Sequence, residues 1–175
     1  MKFLYETREK VLEFKKSNNH APLEIFVDSD WANDHIDRKS TSGYMMYVMG
    51  NLVSWRSKKQ TVTALSSTNA EYIAASEGAR EGLFFRNLYW ECMNEWHPVI
   101  MKCDCNGAIK NAESELQHKR SKHIDLRYHH IKDEVENGTI KISWISTKVN
   151  VADIMTKPVS ISSFKILTDI VFKSD

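Results

Sequence analysis

Four acidic residues stand where an acid needs a reason. Asp28 closes the apolar run Leu23-Glu24-Ile25-Phe26-Val27 and is followed by Ser29-Asp30, while Asp104 closes a second such run, Val99-Ile100-Met101-Lys102-Cys103. Glu71 and Asp153 lie near the starts of helix-compatible stretches. A carboxylate at the edge of an apolar core is costly unless something compensates it, and an oxygen-seeking divalent cation is the strongest compensator. Gathered carboxylates can seat two such ions about 3.5 to 4 Å apart, a pair that clamps the attacking and leaving oxygens of an in-line phosphoryl displacement. Mg²⁺ suits such a site because it takes a few carboxylates and completes its shell with waters and phosphate oxygens.

Taken singly, each acid has a local explanation. Asp28 and Asp30 can form Asx turns. Thr68-Asn69-Ala70-Glu71 has the form of a capping box, in which Glu71 satisfies a free backbone donor at a helix start. Asp104 can open the turn after its strand, and Asp153 suits the positive end of a helix dipole. The chemical reading therefore depends on whether the chain brings the four together.

The elements that must do so follow from pattern. Leu23 to Asp28 reads as a strand; Gly43 to Met49 and Leu52 to Ser57 read as a hairpin about the turn signal Gly50-Asn51. Thr68 to about Met93 is helix-compatible, with Ala74, Gly78 and Gly82 four apart and Ala75, Ala79 and Leu83 beside them, a side small enough to approach a sheet closely. Val99 to Asp104 is a strand, and Asn106 to Lys110 can begin a short helix. Ile124 to Val135 is helical up to Asn137-Gly138, and Thr139 to Ile145 alternates as a strand. A helix opens near Asn150 or Val151 and ends before Pro158. Three strands in a meander, then two joined through helices, predict an α/β fold: a mixed five-stranded sheet, three antiparallel strands then two parallel, flanked by helices. Ligands of such sheets gather beyond the strand C-termini, where Asp28 and Asp104 stand.

The bulk numbers agree with one domain. The 175 residues are 42% hydrophobic and 27% charged with three Pro and six Gly, which excludes a largely disordered chain. A net charge of +1 gives no global basic field, so any phosphate binding must be local. Arg38, Lys39, Arg56, Lys58, Lys59, Lys119, Arg120 and Lys122 are the candidates to line two phosphate backbones, although exposed basic residues most often only solvate a surface. The three cysteines lack metal-site spacing and suit a reducing compartment. No apolar stretch approaches a membrane span and the N-terminus has no secretory core, so no membrane partner is expected and the protein is read as intracellular. His123, His129 and His130 are better read as packing or hydrogen-bonding groups than as ligands. Trp31, Trp55 and Trp144 are better read as core or rim residues than as stacking platforms.

Six motifs then carry a resemblance: Asp28-Ser29-Asp30-Trp31-Ala32, Arg38 to Tyr44, Val53 to Gln60, Ala64 to Ala74, Lys122 to His129 and Ala152 to Pro158. In this order they resemble the RNase H domain of copia-type LTR retrotransposon Pol polyproteins, over roughly Leu23 to Pro158. The resemblance implies an RNase H-like fold in which Asp28, Glu71, Asp104 and Asp153 are catalytic and hold two Mg²⁺ ions, with Mn²⁺ able to substitute. It implies hydrolysis of the RNA strand of an RNA/DNA hybrid during reverse transcription, with selectivity through the 2′-hydroxyl. Ser29, Ser67, Thr68 and Asn106 join Arg38, Lys39, Arg56, Lys58, Lys59 and Lys122 as expected nucleic-acid contacts. Two departures are visible: Asp104-Cys105-Asn106 stands where relatives usually read Asp-Asn, and Ser146 to Asn150 lacks the His that many cellular relatives carry before the last acid.

The implied organisation is an N-terminal helical extension or tail of an upstream reverse transcriptase region over 1–20, an RNase H domain over 21–158, and a C-terminal helical extension over 159–175 that either covers the sheet or docks a partner. The implied partners are an RNA/DNA hybrid and a reverse transcriptase domain of the same polyprotein. The implied location is the cytoplasm, within virus-like particles, or the nucleus. Two alternatives stay open: a catalytically silent hybrid-binding or structural module, and a nuclease fold turned to DNA strand transfer.

Overall fold

A computed structural model of the chain describes residues 8–16, 20–32, 34, 36–104 and 122–172, apart from the side chains of 122–125 and 128. Strands β1 (Leu23–Asp30), β2 (Thr41–Val48) and β3 (Asn51–Lys59) are followed by helix α1 (Ser67–Met93) and strand β4 (Val99–Cys103). Helix α2 (Lys122–Glu136), strand β5 (Ile140–Trp144), a 3₁₀ turn at Thr147–Val149, and helices α3 (Asp153–Thr156) and α4 (Ile161–Val171) complete the order. The sheet runs β3-β2-β1-β4-β5. The first three strands pair antiparallel, and β4 and β5 add in parallel through helical crossovers, as the sequence pattern requires. The short helix expected over Asn106 to Lys110 lies outside the described residues.

Alternation along β1 divides the two faces of the sheet. Leu23, Ile25 and Val27 face α1 and α2, in a core with Met46, Tyr72, Ala79, Val99, Met101, Ile131 and Ile140. Phe26 points the other way, toward Met45, Tyr47, Leu52, Val151, Leu167 and Val171. The C-terminal helix α4 thus covers the sheet with Leu167 and Val171, one of the two roles its amphipathic pattern left open. The small side of α1 does what its spacing suggests: a Cβ at Gly78 would lie 2.5 Å from Val27 Cγ1 and one at Gly82 2.8 Å from Val99 Cγ1. The helix axis can then lie close over β1 and β4 and carry its first turn to their C-terminal ends.

Three local expectations change. The hairpin turn is Met49-Gly50, one residue earlier than expected: both residues take positive φ, as a two-residue turn of the primed type demands, and Val48 pairs with Asn51. Helix α1 starts at Ser67 with Ser66 as its cap, the Ser66 hydroxyl accepting from Asn69 N at 3.2 Å, so the Thr68–Glu71 capping box is not what begins it. The N-terminal helix is absent over residues 8–16. There the Asn51 side chain accepts from Lys15 N at 2.7 Å and donates to Lys15 O at 3.0 Å, while Lys10 reaches Asp169 at 2.7 Å. These contacts tie the segment to the hairpin and α4, and those at Lys15 take up backbone groups that a helix would need.

Candidate active site

Asp28 sits in the antiparallel pair with Gly43 and is buried, 2% exposed. Its orientation is fixed from α3, whose Thr156 hydroxyl donates to Asp28 Oδ2. Asp104 follows the last residue of β4 and is half-buried, and Asp153 is the first residue of α3 and buried. One carboxylate oxygen of each of Asp28, Asp104 and Asp153 lies within 4.8 Å of the others. Glu71 joins them from the beginning of α1, where its Oε1 accepts from the Ser29 hydroxyl at 2.9 Å. With Ser66 serving as the helix cap, burial beside Asp28 is left without a local explanation in capping. No histidine belongs to the acid group among the described residues.

Two devices bring α3 to the strands. Asn150, fully buried, donates from Nδ2 to Val27 O at 3.1 Å and accepts from Ala152 N at 3.3 Å, tying the loop before α3 to the residue preceding Asp28. Gly43 supplies the space: a Cβ there would lie 2.7 Å from both Met155 Cβ and Thr156 Cγ2. Neither residue stood out in sequence, because each acts through a neighbour more than a hundred positions away.

The electrostatics record the crowding. Burial, then the charge of Asp28, pushes the Glu71 carboxyl up to about 8, against the bonds from Ser29. Burial and Asp28 likewise raise Asp153 to about 6, although Lys157 opposes them. Lys157 places its ammonium 3.1 Å from Asp153 Oδ2 and 3.4 Å from Asp28 Oδ2. Burial disfavours its charge, yet Asp28 and Asp153 outweigh that cost and raise its pKa. Glu71 Oε2 and Asp153 Oδ1 remain buried without a hydrogen-bond partner. Buried, unpartnered carboxylate oxygens beside a converging acidic trio are the donor set a hard divalent cation takes, so these residues fit such an ion.

A pH dependence follows. Between the ordinary carboxylate range and about 8, the metal-free folded state holds a proton on Glu71 that the unfolded chain has released. Asp153 adds the same effect up to about 6. A folded state that binds more protons loses stability as pH rises. The melting temperature of the metal-free protein is therefore expected to fall from pH 5 to pH 8, and Glu71→Gln to flatten the upper part of that decline. Thermal melts across the range check this, and an unchanged slope in the variant would refute it.

The other expected contacts divide. Arg56, Lys58 and Lys59 are exposed on edge strand β3, at the end of the sheet that carries Asp28 and two strand spacings, roughly 10 Å, from β1. Arg38 is exposed in the loop between β1 and β2. Lys59 pairs with Asp34 and, at 3.0 Å, with Asp37, while Lys39 lies 3.8 Å from Asp37, so these two cations are partly spent on their own loop. Ser67 is exposed and Thr68 half-buried in the first turn of α1. Ser29 is buried with its hydroxyl on Glu71, where it positions that acid. Lys122 begins α2, but its side chain lies outside the described residues, as do Lys119, Arg120 and Asn106. Trp31, Trp55 and Trp144 are each about half exposed and stand at the rim. Sequence reasoning missed Thr156 and Lys157, three and four residues after Asp153; that helical spacing from an acid was the available signal.

Comparison with known proteins gives these positions a context. The chain is 38% identical over 149 residues to the retrovirus-related Pol polyprotein from transposon TNT 1-94 of Nicotiana tabacum, a match covering 85% of the chain and 11% of the relative. It is 37% identical over 153 residues to that from transposon RE2 of Arabidopsis thaliana, covering 87% of the chain and 10% of the relative. The chain thus spans about a tenth of the length of these curated relatives. No family model matches it. Among solved structures, it resembles the N-terminal RNase H domain of a Mycobacterium tuberculosis protein, with a TM-score of 0.57 at 9% identity over 86% of this chain and 96% of that one. It also resembles a compost-derived RNase H1, with a TM-score of 0.59 at 17% identity over 78% and 94%. That second enzyme in complex with an RNA/DNA hybrid matches with a TM-score of 0.54 at 14% identity over 77% and 93%. These likenesses establish the fold. Among the described residues, no helix is long and apolar enough to cross a membrane.

Proposed function

We propose that this chain, a homologue of retrovirus-related Pol polyproteins of copia-type transposons built on the RNase H-like fold, is a ribonuclease H that hydrolyses the RNA strand of RNA/DNA hybrids. The observation that carries the reading is the convergence of Asp28, Asp104 and Asp153, with Glu71 beside them, at the C-terminal ends of β1 and β4. Asp28, Glu71, Asp104 and Asp153 would hold two Mg²⁺ ions, or Mn²⁺ in their place, which when bound supply water activation and charge stabilisation at the departing 3′-oxygen. Ser29 holds Glu71 in place and Thr156 orients Asp28, so the carboxylates need little reorganisation to bind. Arg38, Arg56 and Lys58 are exposed, and Arg56 and Lys58 stand at the end of the sheet that carries Asp28, where they would offer positive charge to the phosphate backbones. The products are a 5′-phosphate and a 3′-hydroxyl. In this reading the segment works beside a reverse transcriptase domain of the same polyprotein, in cytoplasmic virus-like particles or the nucleus.

The test is a panel of labelled RNA/DNA hybrid, duplex DNA and duplex RNA, each with Mg²⁺ and with Mn²⁺. The expected outcome is cleavage confined to the RNA strand of the hybrid and dependent on the ion. Tight hybrid binding without cleavage in either ion would make the domain a silent module. Reaction on duplex DNA would point to strand-transfer chemistry.

A further inference from the structure

The acid cluster contains a cation of its own. Lys157 caps α3, its backbone N–H donating to Asp153 O at 3.2 Å, and its side chain turns back over the helix to reach two acids. The ammonium lies 3.1 Å from Asp153 Oδ2 and 3.4 Å from Asp28 Oδ2, oxygens on carboxylates that are almost wholly buried. We propose that Lys157 is the built-in counter-ion of the cluster, holding Asp28 and Asp153 together while no metal is bound and yielding its place when a divalent cation enters. The inference rests on the reading of these acids as a metal site.

Three observations support an exchange over a permanent ion pair. Among the described residues, Lys157 sets one positive charge against the three carboxylates of Asp28, Asp153 and Asp104, so the compensation is incomplete. Glu71 Oε2 and Asp153 Oδ1 stay without donors even with Lys157 in place. The Lys157 side chain is 31% exposed, against 2% for Asp28 and 5% for Asp153. The ammonium therefore has a path to water that the acids lack, and a flexible stem to follow it. Lys157 is in this sense a positioning residue: it keeps the carboxylates converged and sets the ion concentration at which the site fills.

The experiment is a Mg²⁺ titration followed by thermal melting, with the parent, Lys157→Gln and Lys157→Arg side by side. Lys157→Gln is expected to melt lower than the parent without the ion, and its Mg²⁺ midpoint to fall roughly tenfold, since the ion no longer competes with a charge at contact distance. Lys157→Arg, which keeps the charge, should stay near the parent in both respects. A Lys157→Gln midpoint equal to or above that of a responsive parent overturns this inference alone and leaves the metal site standing. A Lys157→Gln protein that Mg²⁺ fails to fold also overturns it, because the cation should make good the lost charge. A parent that shows no response to Mg²⁺ overturns both the inference and the metal reading on which it rests.

Discussion

Asp28→Asn is expected to abolish hybrid cleavage while leaving the protein folded. Asp28 sits centrally: it shares the trio with Asp104 and Asp153, raises the pKa of Glu71 and Asp153 by its charge, and takes the Thr156 hydroxyl. Asparagine keeps the shape and an oxygen to accept from Thr156, but it offers no anionic ligand. Loss of several kcal/mol of transition-state stabilisation, about 4, corresponds to a rate lower by roughly a thousand-fold. Stability moves the other way. Removing one of several crowded carboxylates relieves repulsion on Glu71 and Asp153, partly offset by the lost attraction to Lys157. The metal-free melting temperature should hold or rise, and the gain on adding Mg²⁺ should shrink. Cleavage at the parent rate by a folded Asp28→Asn protein would remove the metal mechanism.

Gly43→Ala should damage the site without touching an acid. The added Cβ would lie 2.7 Å from Met155 Cβ and from Thr156 Cγ2 and 3.3 Å from Ala152 O, and none of these is the free end of a flexible side chain. Backbone strain is not at issue, since Gly43 has no positive φ. Helix α3 must retreat from β2, carrying Asp153 and Thr156 away from Asp28. Overpacking of this kind costs roughly 1 to 3 kcal/mol, read as a lower urea midpoint. A displacement near 1 Å among groups that must converge costs about a hundred-fold in rate. Parent-like stability and cleavage together would show that the close approach of α3 to β2 is dispensable.

The contrast between Asp28 and Gly43 shows what sequence can convey. An acid ending an apolar strand is a local anomaly, visible because burial of charge is costly wherever the strand lies. Repetition of that pattern at Asp104 points to two acids at strand ends of one sheet, and the pairing of β1 with β4 is what makes them neighbours. The small side of α1 was legible for the same reason, since helical spacing fixes which residues share a face. The start of α1 was not. Ser66, Ser67 and Thr68 all offer a capping hydroxyl, and the choice falls to Ser66 in a structure where Glu71 is buried against Ser29. The N-terminal segment has helical spacing, yet the Asn51 side chain takes both backbone groups of Lys15. Lys157 stands four residues after Asp153, a spacing visible in the chain, but its second partner Asp28 lies far away and only the fold brings the two together. Local pattern reports what a residue costs, and tertiary contact decides what it is for.

The central claim is that the acids form a divalent-metal site, and anomalous diffraction from crystals of the parent protein soaked in Mn²⁺ tests it most directly. The expected result is anomalous density bounded by the carboxylates of Asp28, Asp104 and Asp153, within reach of Glu71, with the Lys157 ammonium turned outward. Density confined to other parts of the surface, with the acids still closed on Lys157, would contradict it.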